Sequence, residues 1–209
     1  MKAHILGDNG PQLADVPRPK PGPDDVLVRV VACALNRADL AMARGVIHGG
    51  AGGAGAVLGL EYAGEVAEVG GAVTGLKRGD RVMGSGAGAF AEYALADYGR
   101  VQRIPQADMT FEQAAALPVA LQTMHDAVVT HGELKTGQSI LILGASSGVG
   151  LMGLQIAEAR RAALVIGTST NADRRERLSA FGAHLAVDTS DPKWVQQVRD
   201  ATQGHGVDV

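Results

Sequence analysis

A single cysteine, Cys33, in 209 residues leaves no partner for an internal disulfide, and a chain built that way belongs in a reducing compartment, here expected to be the cytoplasm. Aromatic residues are scarce at 3%, so the 46% hydrophobic fraction must fill its core with aliphatic side chains and alanine. Neither sign of charge prevails: 22 acidic and 19 basic side chains leave a net charge of −3, which gives no electrostatic case for nucleic acid or a membrane surface. The opening residues MKAHILGDNG contain no long apolar run and do not read as a signal peptide. The uncharged stretch from Thr136 to Ala157 is long enough to span a bilayer, but Gln138, Ser139, Ser146, Ser147 and Gln155 interrupt it, and its glycines fall where a turn belongs. A strand, a turn and a helix explain it better. What the chain has in quantity is glycine, 29 residues, which suits backbone lying close to other backbone or to a ligand.

Two regimes follow along the chain. Up to about residue 120 the pattern is short strands and turns: DDVLVRVVACAL, GEVAEVG and GDRVMGSG are bounded by glycine or proline and imply a small β barrel or sandwich. Thr110 with Gln113 three residues on forms a capping-box pattern ahead of a helical run that Pro118 breaks or kinks. Beyond it strands and helices alternate. SILILG, ALVIGT and HLAVD read as strands; GVGLMGLQIAEARR, ADRRERLSAFGA and DPKWVQQVRDATQG read as helices; and GVDV reads as the start of a fourth strand. That alternation predicts a parallel α/β sheet. The Gly/Ala loop at 49–56 reads as flexible and could line a cleft.

GASSGVG (144–150) joins the first of these strands to the first helix. Free N–H groups at a helix start, with the positive end of its dipole, hold a pyrophosphate, and Gly148 and Gly150 allow close approach. The first two glycines of the full G-x-G-x-x-G fingerprint are absent, with Ala145 and Ser147 in the way, so the context carries more weight than the motif. The same residues fit the G-x-S-x-G elbow of a serine hydrolase, with Ser146 as nucleophile and Asp188 and His205 downstream in the right order. An elbow strand, however, normally has parallel strands before it, and this one is the first of its unit. The turn also resembles that of short-chain dehydrogenases, which need a lysine four residues after a tyrosine. Val66, Asp97 and Gln102 stand at that distance from Tyr62, Tyr93 and Tyr98, which excludes that reading. At the end of the second strand an NAD site places an acidic residue. Here Thr168 and Ser169 come first, then Arg174 and Arg175, an arrangement that suits a 2′-phosphate and so NADPH, with NADH as the alternative.

GLEYAGEVAEVG (59–70), GDRVMGSGAGAFAEY, AAALPVALQTMHDAV and LILGASSGVG, in this order and spacing, resemble the medium-chain dehydrogenase/reductase superfamily, and VVACALNRADLAMARG (30–45) resembles its zinc-free quinone oxidoreductase branch. The resemblance runs the whole length of the chain. It implies an α/β protein with a β-rich N-terminal part: a GroES-like domain over residues 1–122, followed by a partial Rossmann sheet over 123–209. It implies that Asn36 stands where zinc members place a ligand cysteine, that Asp39 follows it, and that Thr123 lies near the nicotinamide. Ser146, Ser147, Gly148 and Val149 match the pyrophosphate turn, and Arg174 matches a basic contact to the 2′-phosphate. Thr168, Ser169 and Thr189 complete the expected cofactor set.

Zinc catalysis needs three protein ligands, yet Asn36 and Leu60 occupy two of the usual positions, and the six histidines, His4, His48, His125, His131, His184 and His205, form no ligand-spaced group. Quinones and activated alkenes accept hydride without a metal, so the expected activity is NADPH-dependent reduction of a quinone or enone, with Asn36 orienting substrate or cofactor. Three departures from the branch's pattern weaken inference about the substrate: Ile47 where a tyrosine is common, Thr189 where an aromatic is common, and Ala162 where a helix-ending glycine is usual. The family continues past Val209 with the other half of the nicotinamide sheet and a dimer-forming strand. The chain is therefore expected to be a shortened form of a homodimeric parent, or to be completed by a partner, with the ADP half of the cofactor site present and turnover by this chain alone weak or absent. A non-catalytic nucleotide-binding or scaffold module is the competing reading, and the serine hydrolase a distant third.

Overall fold

The computed structural model describes residues 1–47 and 51–209; His48 and the first two glycines of the Gly/Ala loop lie outside the described residues. The chain divides into two compact units, Met1–Val119 and Ala120–Val209.

The first unit opens with an antiparallel hairpin of β1 (Lys2–Gly7) and β2 (Gly10–Asp15). Its main sheet has five antiparallel strands in the order β6 (Tyr93–Asp97), β3 (Asp25–Cys33), β4 (Glu61–Val69), β5 (Arg81–Ser85) and β7 (Val101–Arg103). Side chains alternate across a strand, and here both faces are covered. Val26, Val28, Tyr62, Val66 and Val82 form one core. The neighbouring Ala63 and Met83 pack with Ala114 and Ala115 of a short helix, α2 (Phe111–Ala115). The capping box stands as expected: Gln113 N–H donates to Thr110 Oγ1 at 3.2 Å, and Thr110 N–H donates to Gln113 Oε1 at 2.9 Å. The glycines of GLEYAGEVAEVG have backbone reasons. Gly59 has φ +93°, and a Cβ at Gly64 would run into the Arg29 carbonyl where β3 and β4 meet. Between β3 and β4 the chain also forms α1 (Arg37–Met42).

Pro118 does not kink a long helix; it starts a new one, α3 (Pro118–His125), as proline at a first helical position can. The helix continues as a π-helical segment, Asp126–His131. The division between units falls within α3.

The second unit is a parallel sheet in the order β10 (Leu185–Val187), β9 (Leu164–Thr168), β8 (Ser139–Ile142). The connections between these strands are α4 (Gly148–Ala159), and then α5 (Ala172–Glu176) with a 3₁₀ turn at Leu178–Phe181, so the expected second helix is in fact two short pieces. Leu154 and Ala157 of α4 and Leu178 pack with Ile140 and Ile142, while α6 (Trp194–Ala201) closes the other face through Val198 against Ile166 and Val187. At the chain's end Leu141 N–H donates to the Val209 carbonyl at 3.0 Å and Val209 N–H donates to the Ser139 carbonyl at 3.1 Å, the beginnings of a further strand beside β8.

Candidate active site

In the second unit the Gly144–Gly150 turn is built from its own hydrogen bonds. Gly144 takes φ +62°, and Ser147 N–H closes onto its carbonyl at 3.0 Å. Ser147 caps α4, its Oγ accepting from Gly150 N–H at 3.1 Å. Gly148 and Val149 begin the helix, so their N–H groups have no partner in the preceding turn. A Cβ built at Gly148 meets no atom within 4 Å, so the face of the turn is open there. One built at Gly150 would lie 2.6 Å from Ala145 Cα, so glycine is what lets α4 lie against the turn. An open cradle, unpartnered N–H groups and a helix dipole fit a pyrophosphate.

β9 lashes the turn in place. Thr168 is 1% exposed, and its Oγ1 accepts from Gly144 N–H at 3.0 Å while its carbonyl accepts from Ala145 N–H at 2.9 Å. Thr168 therefore braces the turn from inside rather than facing a ligand. Ser169 Oγ donates to Ser146 Oγ at 2.9 Å. Among the described residues Ser146 has no hydrogen bond to a histidine, so the hydrolase reading lacks its base. The two arginines separate in role. Arg175 donates to the Ser169 carbonyl at 2.7 Å and pairs with Asp188 at 3.0 Å. Asp188 is held below the usual carboxylate range by the Ser190 hydroxyl and N–H and, after these, by Arg175. Arg174 is exposed, and with Arg177, Ser146, Leu151, Leu178 and Phe181 it lines a pocket of about 200 Å³. Arg177 was not anticipated from the sequence, although its place one helical turn beyond Arg174 is a readable signal. Thr189 is half-buried in the loop after β10. Thr123 is exposed on α3; its neighbour Met124 lines an apolar groove of about 260 Å³ with Leu141, Leu143, Ser147 and Val149.

In the first unit Asn36 sits just before α1, bracketed by two carboxylates. Its backbone N–H donates to Asp39 Oδ2 at 2.6 Å and its Nδ2 to Glu61 Oε1 at 2.7 Å. Glu61 is 3% exposed, and its Oε2 accepts from Val119 N–H at 2.8 Å. Burial pushes the Glu61 carboxyl above its ordinary range, opposed by the donors Val119 and Asn36 and aided by the charge of Asp39. Burial likewise raises Asp39, whose Oδ1 is buried with no partner. Nothing in the sequence links Asn36 to Glu61, 25 residues away; only strand pairing brings them together. Among the described residues no three of His, Cys, Asp and Glu gather as a metal site.

Comparison with known proteins places this architecture. The alcohol dehydrogenase GroES-like domain family matches residues 22–106, and the zinc-binding dehydrogenase family matches residues 148–209. An NAD-dependent alcohol dehydrogenase of known structure superposes with a TM-score of 0.84 at 30% identity, over 99% of this chain and 69% of that one. The chain belongs to the medium-chain dehydrogenase/reductase superfamily. It is 31% identical over 202 residues to a quinone oxidoreductase from Pongo abelii, covering 94% of this chain and 59% of that protein. The Escherichia coli quinone oxidoreductase solved with NADPH superposes with a TM-score of 0.82 at 27% identity, over 99% of this chain and 63% of that one. Of the polyketide synthases it also matches, the chain spans only 8% and 9%. One matching family carries zinc in its name, yet the donor set here does not fit a catalytic zinc: Leu60 offers no donor atom, and the Asn36 amide nitrogen is engaged by Glu61.

Proposed function

We propose that the chain carries the cofactor-holding and substrate-orienting groups of an NADPH-dependent oxidoreductase that reduces a quinone or an activated alkene without zinc. The observation that carries this reading is the open Gly148 cradle at the start of α4, beside a pocket lined by two arginines. In it the N–H groups of Gly148 and Val149 hold the pyrophosphate, the Ser147 hydroxyl keeps the helix start in shape, and Thr168 supports the turn from behind. Arg174, with Arg177, receives the 2′-phosphate, and Ser146 and Ser169 border the adenosine side. Thr123 and Thr189 remain the expected contacts of the nicotinamide and adenosine ends.

Bound NADPH supplies the hydride. A quinone or a conjugated alkene accepts it directly, because the charge that develops is delocalised onto a carbonyl oxygen. That oxygen needs a hydrogen-bond donor and then a proton from solvent, which an amide such as Asn36 can help to place. An alcohol substrate would instead have to lose its hydroxyl proton and be held as an alkoxide while hydride leaves, a task for a Lewis acid that Asn36 and Leu60 cannot hold.

The test is a titration of the chain with NADPH and with NADH, followed by cofactor fluorescence, and then addition of 9,10-phenanthrenequinone. Tighter binding of NADPH than of NADH, with only slow consumption on adding quinone to this chain alone, is the expected result. Binding without consumption supports the nucleotide-binding module, and no binding overturns both.

A further inference from the structure

Glu61 is more than a part of the glycine-framed strand that contains it. A carboxylate only accepts hydrogen bonds, and each Glu61 oxygen meets one N–H donor: Asn36 Nδ2 at 2.7 Å and Val119 N at 2.8 Å. The Asn36 side chain is thereby oriented from outside its own segment, since an amide beside a carboxylate must turn its nitrogen toward it. Its side-chain oxygen meets the Asp39 backbone N–H in the capping box of α1, and its second Nδ2 hydrogen is left for other partners. The Asp39 carboxylate holds the backbone of the same residue at 2.6 Å, so both the main chain and the side chain of Asn36 are fixed by buried acids.

We propose that Glu61 is the positioning residue that sets which polar face Asn36 offers to a substrate carbonyl or to the cofactor. This rests on the orienting role given to Asn36 above, while the hydrogen bond itself does not depend on that role. The isosteric change makes the idea specific. In Glu61→Gln the side chain can still serve Val119 N–H through its remaining oxygen, but its new amide nitrogen then faces Asn36 Nδ2, donor against donor. Turning the Asn36 amide over relieves the clash and restores a hydrogen bond. The start of α3 stays capped and the packing is kept, while the turned Asn36 amide gives up its place in the α1 capping box and presents a different polar edge outward. A Glu61 that merely capped the start of α3 would leave Asn36 unchanged by this substitution.

The experiment reads the Asn36 side-chain amide by ¹⁵N–¹H NMR in the whole chain, assigned by its disappearance in Asn36→Ala, and pairs it with quinone turnover. One Asn36 amide hydrogen, protected from solvent exchange in the wild type, should lose at least tenfold of its protection in Glu61→Gln. Both Glu61→Gln and Asn36→Ala should lower kcat about tenfold or more with NADPH affinity unchanged, and the double variant should be no slower than Asn36→Ala alone. Unchanged Asn36 amide signals in Glu61→Gln overturn the proposal, as does a double variant whose loss is the product of the single losses. If the wild type binds no NADPH, the oxidoreductase reading fails; if it binds NADPH without turnover, the amide signal by itself decides whether Glu61 positions Asn36. Should Glu61→Gln not fold, Glu61→Asp, one methylene too short to reach both donors, is read by the same signal.

Discussion

Arg174 and Arg175 are adjacent and chemically identical, yet the fold assigns them different tasks. Arg175 is half-buried and ties the end of β9 to Asp188 after β10, whereas Arg174 reaches an open pocket with no ion pair of its own among the described residues. Removing Arg174 takes a charge-assisted contact from a 2′-phosphate, so Arg174→Ala should weaken NADPH binding by about tenfold and leave NADH nearly untouched. Removing Arg175 breaks an internal brace, so Arg175→Ala should lower the urea midpoint while the ratio of NADPH to NADH affinity changes little. Parallel titrations of the two variants with both cofactors measure this. Equal loss for both cofactors in Arg174→Ala would remove Arg174 from the 2′-phosphate site. The sequence alone made the pair look like one basic cluster, because the feature that separates them, the position of Asp188, depends on how β10 lies beside β9.

At the scale of elements, α4 carries two opposite lessons. Its start requires glycine at 150, where a Cβ would lie 2.6 Å from the backbone of Ala145. Gly150→Ala should therefore push the helix off the turn, costing about 1–3 kcal/mol of stability and most of the cofactor affinity. Its end lacks the glycine it calls for: Arg161, just past the helix, is left-handed at φ +59°. Arg161→Gly should relieve that strain and raise stability by about 0.5–1 kcal/mol without touching the cofactor site. Denaturant unfolding of both variants, with NADPH titrations, tests the opposed signs. Relatives' glycine at Ala162 hinted at a tight helix exit, but the left-handed residue proved to be the one before it. The alternating strands and helices of the second unit, with β3, β4 and β5, were legible because periodicity, turn glycines and the capping box at Thr110 and Gln113 pointed the same way, whereas β2, β6 and β7 carried no such signal. The Asn36–Glu61 bond and the inward turn of Thr168 were not legible. Each depends on tertiary register, which no local pattern encodes.

For the whole molecule the aromatic scarcity becomes useful. Trp194 packs in the second unit against Ile166, Val187 and Val198, while Tyr62, Tyr93 and Tyr98 all belong to the first. Each unit has its own core, and the expected ligand contacts to pyrophosphate and 2′-phosphate all lie in Ala120–Val209. A ligand stabilises what it binds in proportion to RT ln(1 + [L]/Kd), about 2.7 kcal/mol at a hundredfold excess over Kd. The adenosine half of the cofactor is enough for this, and 2′-phosphoadenosine diphosphate ribose has the further merit of leaving tryptophan emission unquenched by a nicotinamide. In a thermal scan with that ligand, the midpoint followed by Trp194 fluorescence should rise by several degrees, and the midpoint followed by tyrosine near-ultraviolet dichroism should rise less. If both midpoints rise together by the full amount, the two units unfold as one cooperative body. If neither moves, the Gly144–Gly150 turn is not a phosphate site.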